Sequence, residues 1–237
     1  MMFLWKNDMI RFMKDASEYG NYNKIIAGEI IQYMNEGMNI CEIGCGLGYL
    51  SLELSHYVNS VTSIDINEDA VSILKENCKK NKIENIRAVC ADAKEVLPKP
   101  QTGKSYDALI SCMFGSIEET VEIAKREAIS RVHIVFSLDK SHSFSVGGES
   151  REKGYENGIT FLDDNKIEYE FRKMSLEFGQ PLRNIGDAKK FLETYNRDDN
   201  KSISEDYIMS RVIKNDSGEY PYYIPMKRER GFLNIYL

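Results

Sequence analysis

The sequence lacks three features that would each have pointed to a particular class of protein. It has no block of five or more Lys or Arg residues, and its formal net charge is −6 at pH 7. Proteins that bind long nucleic acids usually present a clustered positive surface, so an RNA or DNA partner is disfavoured. It has no run of about 18 apolar residues, so no membrane-spanning helix is expected. No His or acidic cluster has the spacing of a metal site, so no metal is expected.

The spacing of the cysteines in the sequence also shows no paired motif. The five cysteines include no Cys-x-x-Cys pair, and Cys41, Cys90 and Cys112 fall in three successive predicted strands, where a thiol packs as a small apolar group. An odd number in such positions indicates a reducing, cytoplasmic compartment. Charged residues interrupt the first 15 positions, which therefore lack the continuous apolar core of a secretory signal and predict an amphipathic helix.

What the sequence does contain is a glycine-rich turn between a strand and a helix. Residues 39–48, NICEIGCGLG, form a β-type run that breaks at glycines 44, 46 and 48, and the helical segment YLSLELSHY follows. Glycines in such a turn let the backbone pass close to a bound ligand. Asp65 closes the next apolar strand, where an acidic group holds the ribose hydroxyls of a nucleoside. We therefore predict a nucleoside site.

The acidic residues around this turn indicate which nucleoside is bound. Glu42 lies two residues before the first glycine, where its carboxylate would repel a pyrophosphate but suits the α-amino group of a methionyl moiety. Asp92 follows a third predicted strand and is placed to accept a hydrogen bond from an adenine amino group. Ile66 offers an apolar face to the ring. The pattern thus favours an adenosyl amino acid over a dinucleotide.

Four segments occur in the order and spacing of one family: EIGCGLG (42–48), SIDINEDAV (63–71), CADA (90–93) and YDALISCMFGS (106–116). On these segments the chain resembles the class I S-adenosylmethionine-dependent methyltransferases. The resemblance implies a Rossmann-like α/β fold, an open and mostly parallel sheet with a late antiparallel edge hairpin and helices on both faces. It also implies S-adenosylmethionine as the cofactor, with Glu42, Gly44 and Gly46 beside its methionine part, Asp65 at the ribose and Asp92 at the adenine.

The hydrophobic periodicity predicts strands near 39–43, 60–65, 85–90, 106–112 and 132–138, and helices near 47–57, 68–81, 93–97 and 117–130. We expect one domain over residues 1–237. In it, 1–38 form an N-terminal helical cap, 39–138 bind the cofactor, and 139–237 supply a loop plus C-terminal strands and helices. Residues 140–158 are polar and Gly-rich, which predicts a loop. The segment YPYYIP (220–225) predicts an irregular connection into a final strand.

The end of the fourth strand is the place where the acceptor is expected. Methyl transfer from a sulfonium needs mainly alignment, so no catalytic constellation is obligatory. Ser111 is placed to hydrogen-bond an acceptor and Phe114 to stack on an aromatic one, while His142 is a candidate general base for a hydroxyl. An ordinary structural role for Ser111 and Phe114, and a solvated loop position for His142, are the preferred interpretations. The predicted cofactor contacts are Glu42, Gly44, Cys45, Gly46, Gly48, Asp65, Ile66, Asp92, Ala93 and Ser111.

Family members that methylate adenine or glutamine amines often carry an Asp/Asn/Ser-Pro-Pro-Tyr/Phe tetrad at this strand end. Residues 111–116, SCMFGS, contain no proline, which disfavours those acceptors. The sequence therefore predicts a small or medium-sized organic acceptor. An RNA methyltransferase, a non-catalytic S-adenosylmethionine-binding regulatory module and a dinucleotide-dependent dehydrogenase are the alternatives. The charged run Lys227, Arg228 and Arg230 could bind an anionic acceptor, but solvated surface charge is the preferred interpretation.

Overall fold

The chain alternates strands and helices and then ends in antiparallel strands. A computed structural model describes residues 7–95, 97–98, 106–139, 154–196, 202–216 and 218–237. The helices are α1 (Asn7–Tyr19), α2 (Tyr22–Ile30, continued by a 3₁₀ turn over Ile31–Tyr33), α3 (Tyr49–Leu54), α4 (Glu68–Asn81), α5 (Ile117–Arg126), α6 (Gly154–Asp164), α7 (Ile185–Tyr195) and α8 (Glu205–Arg211). The strands are β1 (Asn39–Ile43), β2 (Ser60–Asp65), β3 (Ile86–Cys90), β4 (Ala108–Cys112), β5 (Arg131–Ser137), β6 (Glu168–Glu177), β7 (Gln180–Leu182), β8 (Ile213–Lys214), β9 (Tyr222–Ile224) and β10 (Lys227–Tyr236). No helix in these ranges has the length and apolar character needed to cross a bilayer.

Seven strands form the main sheet, in the order β3-β2-β1-β4-β5-β10-β6. Strands β1 to β5 are parallel, and β10 runs antiparallel to both β5 and β6. The predicted open, mostly parallel sheet with an antiparallel edge is confirmed. The strand order reverses between β1 and β4, and ligands of open α/β sheets bind outside the carboxyl ends of the strands at such a point.

Alternating side chains along the strands supply two apolar cores. On one face, Ile134 of β5 belongs to the same buried cluster as Val121 of α5 and Leu162 of α6. On the other face, its neighbour Val135 clusters with Ile26 of α2 and residues of α3. Adjacent residues of a strand point to opposite faces, so a single strand serves both cores. Helices therefore cover both faces of the sheet, as predicted.

Two helices begin at capping residues that directly follow the site-bearing strands. The side chain of Asn67 accepts a hydrogen bond from the backbone N–H of Ala70 at 2.9 Å and starts α4 just after β2. Ser116 and Glu119 form a reciprocal capping box at the start of α5, shortly after β4. Each such cap stabilises its helix by about 1 kcal/mol. The caps thereby fix the lengths of the turns in which the candidate site lies.

Three predicted elements differ from the structure. Residues 93–95 form a turn instead of a helix over 93–97, and Val96 lies outside the described residues. The predicted loop 140–158 ends early because α6 begins at Gly154 and packs onto α5; residues 140–153 lie outside the described residues. The segment YPYYIP contains strand β9, which pairs with β7 and β8 in a three-stranded sheet that the sequence did not predict.

The N-terminal helices pack on two different parts of the chain. Phe12 of α1 is fully buried in a third apolar cluster with Phe191 of α7 and Ile224 of β9, whereas α2 packs on α3. Asp15 of α1 is nearly buried and pairs with Arg183, whose Nη2 lies 3.1 Å from Asp15 Oδ1. The helical cap therefore joins the cofactor-binding region to the small C-terminal sheet.

Candidate functional site

The glycine-rich turn leaves β1 in a backbone conformation that favours glycine. Gly44, Gly46 and Gly48 have φ values of 66°, 53° and 79°, which L side chains rarely adopt. A Cβ on Gly44 would overlap the ring of Phe114, and one on Gly48 would overlap Leu74 of α4. The glycines therefore serve two purposes, since they shape the turn and let neighbouring side chains close against it.

Asp65, at the end of β2, is tied to this turn by two backbone hydrogen bonds. Its Oδ2 accepts from the N–H of Gly46 at 2.8 Å, and its Oδ1 accepts from the N–H of Asn67 at 2.9 Å. An ionised carboxylate offers about two lone pairs on each oxygen, so each oxygen keeps acceptor capacity. The side chain is half-buried. This arrangement fits a group that receives two adjacent ribose hydroxyls.

Glu42 is a buried carboxyl that has no cationic partner within the described residues. It is 2% exposed, accepts a hydrogen bond from the Ser51 hydroxyl, and takes part in none of the ion pairs of the described ranges. Burial raises the pKa of Glu42 to about 7, although the bond from Ser51 opposes the rise. A carboxyl in this condition is suited to a ligand that brings its own positive charge, such as an α-amino group.

The end of β3 lies beside the end of β2 and forms the next side of the candidate cofactor site. This site, which includes the glycine turn, Glu42 and Asp65, is called the cofactor hollow. Asp65 is in register with Cys90, and the N–H of Ala91 donates to the carbonyl of Asp65 at 3.0 Å. Asp92 Oδ1 accepts from the N–H of Lys94 at 2.9 Å, and its second oxygen has no hydrogen bond among the described residues. The large apolar side chain of Ile66 is 46% exposed here. An exposed isoleucine beside an available acceptor fits an adenine ring and its amino group.

Two further predicted contacts, Cys45 and Ala93, are buried, with exposures of 8% and 4%. The N–H of Cys45 donates to the carbonyl of Ile64, so Cys45 ties the glycine turn to β2. Their contact with the cofactor stays a prediction.

Burial raises the pKa of the Cys112 thiol, at the end of β4, to about 12. The thiol therefore stays protonated, which agrees with packing instead of nucleophilic chemistry.

At the end of β4, the structure gives Ser111 a structural role. Ser111 is fully buried, and its hydroxyl donates to the carbonyl of Phe114 at 2.7 Å. This bond closes a turn in which Met113 and Gly115 have φ values of 59° and 64°. A hydroxyl that is buried and already donating does not reach an acceptor, so the catalytic candidacy of Ser111 is not supported by this geometry. His142, the other candidate, lies outside the described residues.

A cavity of about 330 Å³ opens beside this turn, between the ends of β4 and β5. Phe114, Phe136, Asp139 and Tyr155 are among the residues that line it. Phe114 also packs against Gly44, so a single side chain separates the cavity from the glycine turn. Sequence reasoning named Phe114 but missed the other three. Phe136 and Asp139 could have been found from their place at the carboxyl end of a predicted strand, whereas Tyr155 could not, because its segment was assigned to a loop.

The charged run in β10 is not the solvated surface that the sequence predicted. Only Lys227 is exposed; Arg230 is 5% exposed and the Arg228 side chain 14%. Arg230 donates to Asp139 at 2.6 Å and to the Tyr22 hydroxyl at 2.7 Å. Tyr22 is buried in this contact. The hydrogen bond between Arg230 and Tyr22 therefore links β10 to α2.

Within the described ranges, no group of three or more His, Cys, Asp or Glu side chains is arranged to hold a metal ion.

Comparison with known proteins identifies the central part of the chain. Residues 34–144 match the family model described as a methyltransferase domain. The chain carries a methyltransferase domain. The resemblance to the class I S-adenosylmethionine-dependent methyltransferases is thereby confirmed, and S-adenosylmethionine is the cofactor of this domain. The contacts of Glu42, Asp65 and Asp92 with the amino, ribose and adenine groups of that cofactor stay predictions.

The methyltransferase domain has relatives of several kinds. A probable cobalt-precorrin-6B C(15)-methyltransferase (decarboxylating) of Methanococcus maripaludis is 33% identical over 116 residues, which are 49% of this chain and 61% of the relative. The chain thus spans less than two thirds of that relative's length. Among solved structures, precorrin 8W decarboxylase of Methanobacterium thermoautotrophicum is 15% identical with a TM-score of 0.55, covering 90% of this chain and 89% of its own. A putative methyltransferase of Bacillus halodurans is 12% identical with a TM-score of 0.57, covering 89% and 97%. These structures share the fold.

Proposed function

We propose that the whole chain is an enzyme that transfers the methyl group of S-adenosylmethionine to a small or medium-sized organic acceptor. One observation carries this proposal: the cofactor hollow and a separate cavity meet at Phe114. The ring of Phe114 packs against Gly44 on the cofactor side and lines the cavity at the ends of β4 and β5. A transferase needs two adjoining compartments, since donor and acceptor must be held together.

The chain's own residues would contribute binding and alignment more than acid–base chemistry. The bound cofactor supplies an activated methyl group. Glu42, Asp65 and Asp92 would hold its amino, ribose and adenine groups, and the turn closed by Ser111 and Phe114 would position the acceptor. Holding two reactants in a productive geometry can lower the barrier by about 7–11 kcal/mol. A dedicated base is needed only where the acceptor must lose a proton early in the transfer.

Two features support a small acceptor. The cavity has the size of an ordinary small-molecule site and is lined mainly by apolar and aromatic side chains. The relatives over the matched segment include probable cobalt-precorrin C(15)-methyltransferases, whose names describe a small-molecule acceptor. The precorrin itself is not carried over, because the match covers about half of this chain.

Methyl transfer from labelled S-adenosylmethionine tests this proposal. The purified chain is incubated with a cell extract divided into low-molecular-weight, RNA and protein fractions, and Asp65→Ala serves as the control that weakens cofactor binding. We expect label in the low-molecular-weight fraction, dependent on the wild-type chain. Label in RNA would support the RNA alternative. Binding of S-adenosylhomocysteine with no labelled product in any fraction would favour the non-catalytic alternative.

A further inference from the structure

Three aromatic side chains line the cavity beside the methyltransferase site. Phe114, Phe136 and Tyr155 come from three separate elements, the turn after β4, strand β5 and helix α6, and all three line the same space of about 330 Å³. Each is half-buried, so part of each side chain remains available to a ligand. Met113 adds a thioether side chain that is 49% exposed. Thioethers and aromatic rings both make favourable contacts with aromatic ligands.

The ring of Phe136 is held in place by its neighbours. It stacks on Tyr155 with a centroid distance of 5.4 Å, and on Phe171 at 6.1 Å with an interplanar angle of 12°. Gly231 of β10 lies opposite Phe136, and a Cβ there would overlap the Phe136 ring. The Phe136 ring therefore packs directly against the backbone of Gly231. Fixing an aromatic side chain before a ligand arrives reduces the entropy that binding must overcome.

The carboxylate of Asp139, which lines the cavity, is already paired with a positively charged side chain. Asp139 accepts hydrogen bonds from Arg230 at 2.6 Å and from the N–H of Glu229 at 2.9 Å. The guanidinium of Arg230 and the N–H of Glu229 hold the pKa of Asp139 below its usual range, against the effect of burial. Asp139 is therefore ionised and held in a fixed position at one side of the cavity. We expect ligand affinity to come mainly from packing against the aromatic rings.

We propose that the methyl acceptor carries a planar aromatic ring that packs against Phe136 and Tyr155, with Phe114 between this ring and the glycine turn. The inference rests on the proposed function and specifies its substrate class. The acceptor atom belongs to the ring or to a substituent that reaches past Phe114 toward the cofactor hollow.

A matched pair of probes tests the ring requirement: naphthol and its saturated analogue decahydronaphthol, which share a carbon skeleton and a hydroxyl group. Their dissociation constants are measured by calorimetry with S-adenosylhomocysteine present at saturation. We expect naphthol to bind about tenfold more tightly than decahydronaphthol, because only the planar ring can stack on the lining. Phe136→Leu and Tyr155→Leu should each remove most of this preference.

Tyr57→Leu is the matched control, because Tyr57 is an aromatic residue that is 45% exposed and does not line the cavity. It should retain both the preference for naphthol and the affinity for S-adenosylhomocysteine. If Phe136→Leu does not fold, the half-buried Tyr155→Leu carries the test. Equal binding of the two probes, or a preference that both cavity variants leave intact, would overturn the inference. Failure of the proposed function is distinguishable, since it would appear as the absence of labelled product in the methyl-transfer assay, whichever of the two probes binds.

Discussion

Replacing Glu42 by Gln should make the protein more stable and at the same time a poorer binder of its cofactor. The substitution keeps the shape of the side chain and a polar partner for Ser51, but removes the buried negative charge. Glu42 is 2% exposed and forms no ion pair among the described residues. The cofactor-free protein therefore bears the full cost of ionising this carboxyl.

The magnitude follows from the pKa of Glu42, which burial raises from its ordinary value of 4.5 to about 7. A raised pKa means that the folded state binds a proton more tightly than the unfolded state does. Stability is then greatest below the ordinary value and falls as the pH rises toward the folded value. Each pH unit in this interval is worth about 1.4 kcal/mol, so the ionised carboxyl costs the free protein about 3 kcal/mol above neutral pH.

The affinity for cofactor should change in the opposite direction. Near neutral and mildly alkaline pH, the carboxylate of the wild type can pair with the amino group of S-adenosylhomocysteine, and the amide of Glu42→Gln cannot. Hydrogen bonds to charged groups contribute about 1.5–3 kcal/mol, so we expect affinity to fall about 10–100-fold. The wild-type affinity should also rise as the pH passes through about 7, where Glu42 ionises, and the variant should lose this dependence.

Urea unfolding and calorimetric titration at several pH values measure both effects. Glu122→Gln on the exposed face of α5 is the control and should change neither quantity. The reasoning would be refuted if Glu42→Gln left both the pH dependence of stability and the affinity for S-adenosylhomocysteine as they are in the wild type.

Three other predictions concern single residues. Asp65→Ala should weaken S-adenosylhomocysteine binding by about 1–3 kcal/mol through loss of its acceptors, measured by calorimetry; unchanged affinity would mean that the ribose is bound elsewhere. Gly44→Ala should lower both the melting temperature and cofactor affinity, because a side chain at φ 66° is strained and displaces Phe114; a variant with wild-type melting and binding would contradict the turn geometry. His133→Leu should move acid unfolding to lower pH. Burial lowers the pKa of His133 to about 3, so its contribution to stability is lost as the pH falls from about 6.5 toward 3, and an unshifted acid transition would show that His133 does not drive it.

The parts of the fold that could be predicted are those encoded in short stretches of sequence. The glycine turn, the strand ends at Asp65 and Asp92, and the Asn67 cap each depend on neighbouring residues, and their strands were predicted to within a few positions. Parallel strands bring their carboxyl ends to one edge of the sheet, so the local signals were sufficient to gather the acidic side chains around the turn.

What could not be predicted depends on contacts between distant segments. Strands β7, β8 and β9 have only two or three residues each, too few to show an alternating pattern, and they are defined by their pairing. Considered with its neighbours in the sequence alone, Arg230 is predicted to be a solvent-exposed charge. It is buried because its partners Tyr22 and Asp139 arrive from 208 and 91 residues away.

The start of α6 was hidden for a similar reason. Its first residues, GYENG, contain two glycines and predict a loop when considered alone. Gly158 is buried against Ile117 of α5, and a Cβ at this position would overlap that side chain. Packing between the two helices therefore decides the local structure, and Tyr155 enters the cavity as a consequence.

The measurement that bears most directly on the cofactor site is a calorimetric titration of the purified chain with S-adenosylhomocysteine, repeated in the presence of excess NAD. The arrangement of the glycine turn with Glu42, Asp65 and Asp92 predicts saturable binding at a single site, unaffected by NAD. Absence of any heat of binding at saturating ligand, or displacement by NAD, would contradict it.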